Sequence, residues 1–111
     1  MQTLRLADDL FEQVDDGKGV TIRMGRKPIQ CGPLLLQGVR DTDLQRLVHV
    51  VEVRCTRLDA LTEHDLDSYP VKAVADLAES LRRHYPDIQP ASVVTYVRFE
   101  PFWNHISLDV F

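Results

Sequence analysis

Residues 47–56, LVHVVEVRCT, form the longest β-like run of the chain and limit what it can fold into. β-Branched side chains dominate the run. Its alternation sets Val51, Val53 and Cys55 on one side and Glu52, Arg54 and Thr56 on the other. A strand of that length needs partners, and the chain supplies candidates. Residues 20–24 place Val20, Ile22 and Met24 against Thr21 and Arg23. Residues 92–99, SVVTYVRF, read as another strand, Leu34 to Leu36 as a short buried one ended by Gly38, and residues 106–111 as a candidate last strand.

Between these runs the period changes from two to helical. Residues 8–14 read as a short helix with Leu10, Phe11 and Val14 on one face, broken by Asp16-Gly17. Residues 28–33 read as a loop. Thr62 followed by Asp65 resembles a capped helical turn. Residues 70–85 give the clearest helix, with Val71, Val74, Leu77, Ala78 and Leu81 in one stripe, Pro70 near its start and Tyr85-Pro86 at its end. At 111 residues the chain suffices for one core and not for two. The expectation is an α+β fold in a single domain, 1–111, built as a small, partly open β-barrel with two or three flanking helices.

Composition narrows the function. Hydrophobic residues at 44% and charged residues at 27% describe a folding chain and argue against disorder. A net charge of −4 speaks against an extended nucleic-acid footprint, because phosphate contacts supply most of such affinity. A single nucleotide, a nucleoside or a short RNA loop stays within reach of a local basic patch. No apolar run approaches the roughly 18 residues of a membrane span. The N-terminal MQTLRLADDLFEQ is acid-rich and amphipathic, without a signal-peptide core, so no membrane partner and a cytoplasmic location are expected. Cys31 and Cys55 lack metal-site spacing and read as free thiols.

Against this acidic background, GKGVTIRMGRK (residues 17–27) carries Lys18, Arg23, Arg26 and Lys27 and no acid. Thr21 and Arg23 share a strand face, and the flanking glycines permit a turn that swings Lys18 to the same side. An amine, a hydroxyl and a guanidinium then meet at one mouth. A partly desolvated lysine can activate a hydroxyl nucleophile, and arginine offers a planar fork to a carbonyl or phosphate oxygen. Spacing alone favours the plainer use, a hairpin turn with solvated charges.

Taken in order, DDGKGVTIRMG, LTEHD, LRRHYPD and VVTYVRFEP resemble the ASCH domain family over residues 4–100. The resemblance implies a PUA-like β-barrel with a ligand cleft at the lysine turn. It also implies RNA or nucleoside-like ligands. A small bacterial branch of the family is an amidohydrolase that removes the acetyl group of N4-acetylcytidine with a lysine, a threonine and a glutamate. Lys18 and Thr21 fall on the first two positions, and Arg23 on the arginine that follows; Arg26 is a further substrate-binding candidate. The third position departs from the pattern. Asp67 is the nearest acid, Asp65 and Glu63 are alternatives, and strict register falls on Tyr69. Catalysis by Lys18, Thr21 and Asp67, with no cofactor and no metal, is one expectation. A noncatalytic RNA-binding module and an interaction domain are the others.

The remaining candidates have plainer uses. His64, between Glu63 and Asp65, suits an acid–base group, yet a solvated histidine is the commoner occupant of a helix start. His49 reads as a core or barrel residue, and His84 and His105 have no partner in sequence. Phe102 and Trp103 suit packing more than base stacking. The helix dipole accounts for Arg82-Arg83-His84.

Overall fold

A computed structural model of the chain describes residues 1–15, 19–67 and 74–101. Five strands form one sheet: β1 (Gln2–Leu6), β2 (Gly19–Met24), β3 (Gly32–Gly38), β4 (Gln45–Arg57) and β5 (Val93–Pro101). Their order is β1-β3-β4-β5-β2. β1 runs parallel to β3 and every other pairing is antiparallel. The sheet curls into a half-barrel, an α+β fold of the expected barrel-like kind.

The sheet is buried on both faces along β5, the fourth strand in its order. On one side Val94 and Tyr96 of β5 and Val20 and Ile22 of β2 pack under α2 (Val74–Arg82), chiefly against Leu77 and Leu81. On the other, Val97 and Phe99 meet Leu34, Leu36, Val48 and Val50 beneath α1 (Phe11–Asp15) and β1. At about 25 cal/mol per Å² of apolar surface, each fully buried leucine or valine is worth roughly 1.5–3 kcal/mol.

β4 serves both faces through a β-bulge. Val50 pairs with Phe99 and Glu52 with Arg98, so Val51 is an extra residue. The insertion shifts the parity of the strand. Val48 and Val50 therefore share the α1 side with Val53, while Glu52 and Arg54 turn to the other side. The expected alternation holds from Glu52 onward and breaks at Val51.

Other boundaries differ for physical reasons. β1 was expected as part of an amphipathic N-terminal stretch. Parallel pairing of Gln2 to Leu6 with Leu34 to Gly38 makes it a strand, and antiparallel pairing of Gly32 and Pro33 with Val50 and His49 of β4 extends β3 to seven residues. The expected 28–33 loop is therefore shorter by two residues: Gly32 and Pro33 already belong to β3. The turn at 63–67 remains a turn, though Thr62 and Asp65 exchange the expected bonds: Thr62 N donates to Asp65 Oδ2 at 2.9 Å and Asp65 N to Thr62 Oγ1 at 3.3 Å. α2 ends at Arg82, earlier than the expected Tyr85, because His84 and Tyr85 both return their amides to the Leu81 carbonyl. Pro70 and Val71, and the strand expected at 106–111, lie outside the described residues, and of Val74 only the backbone is described. Among the described residues no helix is long and apolar enough to cross a membrane. Cys31 is exposed and Cys55 partly buried, and both are free thiols.

Candidate functional site

β1 and β2 are the two edges of the sheet, and the curl brings them together at a seam. Arg23 bridges it. Its Nη2 donates to the Arg5 carbonyl of β1, and its Nε donates to Thr21 Oγ1 at 3.0 Å. Strand alternation puts Thr21 and Arg23 on one face, opposite Val97 and Thr95 of β5, with Val20 and Ile22 anchoring β2 from behind. Thr21 is only 6% exposed, so its hydroxyl is one of few buried polar side chains and is satisfied by Arg23.

A cavity of about 360 Å³ wraps around this edge. Thr21, Arg23 and Arg5 line one part of it, and Leu81, His84 and Tyr85, at the end of α2, line another. Its size is that of a small-molecule site. Sequence reasoning missed Arg5, His84 and Tyr85, since only tertiary pairing brings β1 and the exit of α2 to the start of β2.

The strand before the seam is tightly built. A Cβ on Gly19 would lie 2.2 Å from the ring of Phe99, its register partner. At the other end Gly25, at φ +81, turns the chain out of β2. There the buried Thr95 hydroxyl donates to the Gly25 carbonyl at 2.7 Å and accepts from the Lys27 amide at 2.9 Å. These bonds fix the backbone that displays Arg26, which is exposed.

A second cavity of about 330 Å³ lies on the α2 side of β2 and β5, with Val20 as the wall common to both. Asp65, Asp67, His64 and Glu52 line it with Arg98 and Tyr96. Arg54 organises its floor. It pairs with Asp65, lies over the Tyr96 ring at 4.7 Å, and brings Nε to 2.9 Å from Glu52 Oε2 without hydrogen-bond alignment. Glu52 also accepts from Arg98 Nε at 3.2 Å. Burial acts to raise the Asp65 carboxyl, but the Thr62 amide and the Arg54 guanidinium outweigh it and hold the group below its ordinary value. Burial first, then the charges of Asp65 and Glu52, push the Tyr96 phenol up.

The expected site is therefore partly assembled. Thr21 and Arg23 meet directly, and Arg26 stands on the adjoining loop. Asp65 and Asp67 border the second cavity, on the face of the sheet opposite Thr21, and Glu63 is exposed. His64 is exposed at that cavity and His84 at the seam. His49 is half-buried and outside both cores. Lys18, Tyr69, Phe102, Trp103 and His105 lie outside the described residues. Among the described residues no group of three or more histidine, cysteine or acidic side chains is arranged to hold a metal ion.

Compared with protein-family models, curated proteins and solved structures, the chain matches none.

Proposed function

We propose that the chain is a PUA-like domain of the ASCH kind that binds a nucleoside, or one unpaired RNA nucleotide, in the seam cavity and removes the acetyl group of N4-acetylcytidine. The observation that carries this reading is the buried Thr21 hydroxyl held by Arg23 at the wall of a ligand-sized cavity. In the first step Thr21 Oγ1 forms a bond to the acetyl carbonyl carbon and its proton passes to the Lys18 amine. The Arg23 guanidinium, already beside the attacking oxygen, stabilises the oxyanion. Collapse breaks the carbon–nitrogen bond, and the cytosine amine leaves with the proton from Lys18. Water then cleaves the acetyl-threonine ester, giving acetate and restoring the hydroxyl.

Orientation of the Lys18 amine falls to Asp67. Asp65, which lines the same cavity as Asp67 and pairs with Thr62 and Arg54, is the alternative. Asp67 borders the cavity walled by Val20, two residues beyond Lys18 in sequence.

One observation favours a second reading, a noncatalytic binder of an RNA nucleotide: the acids of residues 63–67 lie across the sheet from Thr21. Incubation with N4-acetylcytidine, followed chromatographically, separates the two. Release of cytidine and acetate is expected; saturable binding without release makes the binding module the function.

A further inference from the structure

The two cavities that share Val20 have opposite charge. The second is bordered by Glu52, Asp65, Asp67 and Glu100, whereas the seam cavity has no acidic lining residue among the described residues. Instead it has Arg5 and Arg23, in a chain whose net charge is −4. Random placement of seventeen acids and thirteen bases would not favour that. Arg23 uses Nε on Thr21 and Nη2 on the Arg5 carbonyl, which among the described residues leaves Nη1. Among the described residues the Arg5 guanidinium has no hydrogen-bond or ion-pair partner, although Arg46, Arg54, Arg57 and Arg98 all pair with carboxylates. Apart from Thr21 and His84 the rest of the wall is apolar or aromatic, with Leu6, Ile22 and Leu81 beside a Tyr85 ring packed on the α2-side core.

We infer that the seam cavity takes a phosphate ester of a nucleoside, with the phosphate at Arg5 and Arg23 and the base against Tyr85. This rests on the binding reading of the seam cavity and not on the deacetylation, because the phosphate and the N4-acetyl group lie at opposite ends of a nucleotide and do not both fit at Arg23. Two arginines lining one cavity, the guanidinium of Arg23 bonded to the backbone of Arg5, form without a competing carboxylate a potential well for a doubly charged phosphate, and arginine matches its oxygens as a planar fork. A half-buried ring offers a stacking face that accepts a nucleobase.

The test titrates the full chain with cytidine, cytidine 5′-monophosphate, ribose 5-phosphate and a cytidine-containing RNA trinucleotide at low and high salt. The monophosphate is expected to bind about tenfold tighter than cytidine, the gain of a charge-assisted contact. That preference should shrink at high salt and vanish in Arg5→Gln, a change at an exposed side chain that leaves thermal stability unaltered. Equal binding of cytidine and its monophosphate overturns the inference and leaves the nucleoside reading standing. A preference that survives Arg5→Gln also overturns it, because the phosphate is then held elsewhere. Ribose 5-phosphate binding as tightly as the nucleotide removes the nucleoside reading and, with it, the base against Tyr85. Binding of none of the four overturns both. A trinucleotide with Arg5-dependent affinity identifies the ester as a chain phosphodiester, and one that binds no better than cytidine identifies a terminal monoester; each supports the inference.

Discussion

The Arg54 guanidinium lies over the Tyr96 ring, its carbon 4.7 Å from the centroid, while the Tyr96 hydroxyl donates to the Asp65 carbonyl at 2.8 Å. Asp65 in turn pairs with Arg54. Three residues from β4, β5 and the 63–67 turn thus close a loop of contacts that ties the turn to the sheet. Replacing Arg54 by Met keeps the aliphatic stem and removes the charge, leaving the largely buried Asp65 carboxylate without its cation. The expected cost is about 1–3 kcal/mol, read from urea unfolding. An unchanged midpoint would show that the turn is held by Tyr96 and Thr62 alone.

The same clamp sets an acid limb to stability. In the fold, Asp65 titrates below its ordinary 3.8, so the unfolded chain binds its proton more readily. The contribution is fully present above the unfolded value. It is lost as pH falls below 3.8 through the lower folded value. Asp65→Asn should therefore flatten the fall in melting temperature between neutral pH and the acid range. A variant that loses stability with acid as steeply as the wild type would assign that limb to other carboxyl groups.

Gly19→Ala places a methyl 2.2 Å from the Phe99 ring. Phe99 is itself buried in the α1-side core, so the ring has little room to withdraw. Overpacking of this kind costs about 1–3 kcal/mol. Phe99→Leu in the Gly19→Ala background should recover part of that loss. A Gly19→Ala protein with unchanged thermal stability would mean that the β2–β5 pairing opens at this end without cost.

Thr95→Val keeps shape and deletes one hydroxyl that serves both the Gly25 carbonyl and the Lys27 amide. About 1–3 kcal/mol of destabilisation is expected. Faster hydrogen exchange at the Lys27 amide should accompany it, since that donor loses its acceptor. Exchange at Lys27 no faster than in the wild type would show that the loop is held by other contacts.

Much of this fold was legible in the alternation of its strands, because Val20, Ile22, Val94 and Tyr96 are buried for the same reason that they are hydrophobic. β1 was not legible: QTLRL offers only Leu4 and Leu6 as signals, and each partner lies 32 residues further along the sequence. The bulge at Val51 was invisible for a related reason, since an extra residue is defined only by the partner strand. At the site, the period of two was enough to pair Thr21 with Arg23. Spacing could not show that Arg23 reaches across the seam to Arg5, or that the 63–67 turn docks on the opposite face of β5 through Arg54 and Tyr96. Long-range register decides both.

Turnover of N4-acetylcytidine distinguishes chemistry from binding. Thr21→Ala removes the proposed nucleophile and should lower kcat for N4-acetylcytidine by about 10⁴-fold or more, while KM or nucleoside affinity changes little because only a hydroxyl is lost. Thr21→Ser keeps an oxygen in place for Arg23 and should retain measurable activity. Lys18→Arg should cost about 10²–10⁴-fold, since a guanidinium stays protonated and cannot accept the proton. Asp67→Asn should reduce the rate and shift the basic-side pH profile if Asp67 orients the Lys18 amine. Undiminished turnover in Asp67→Asn would move that role to Glu63 or Asp65, and undiminished turnover in Thr21→Ala would end the case for an acyl-threonine route.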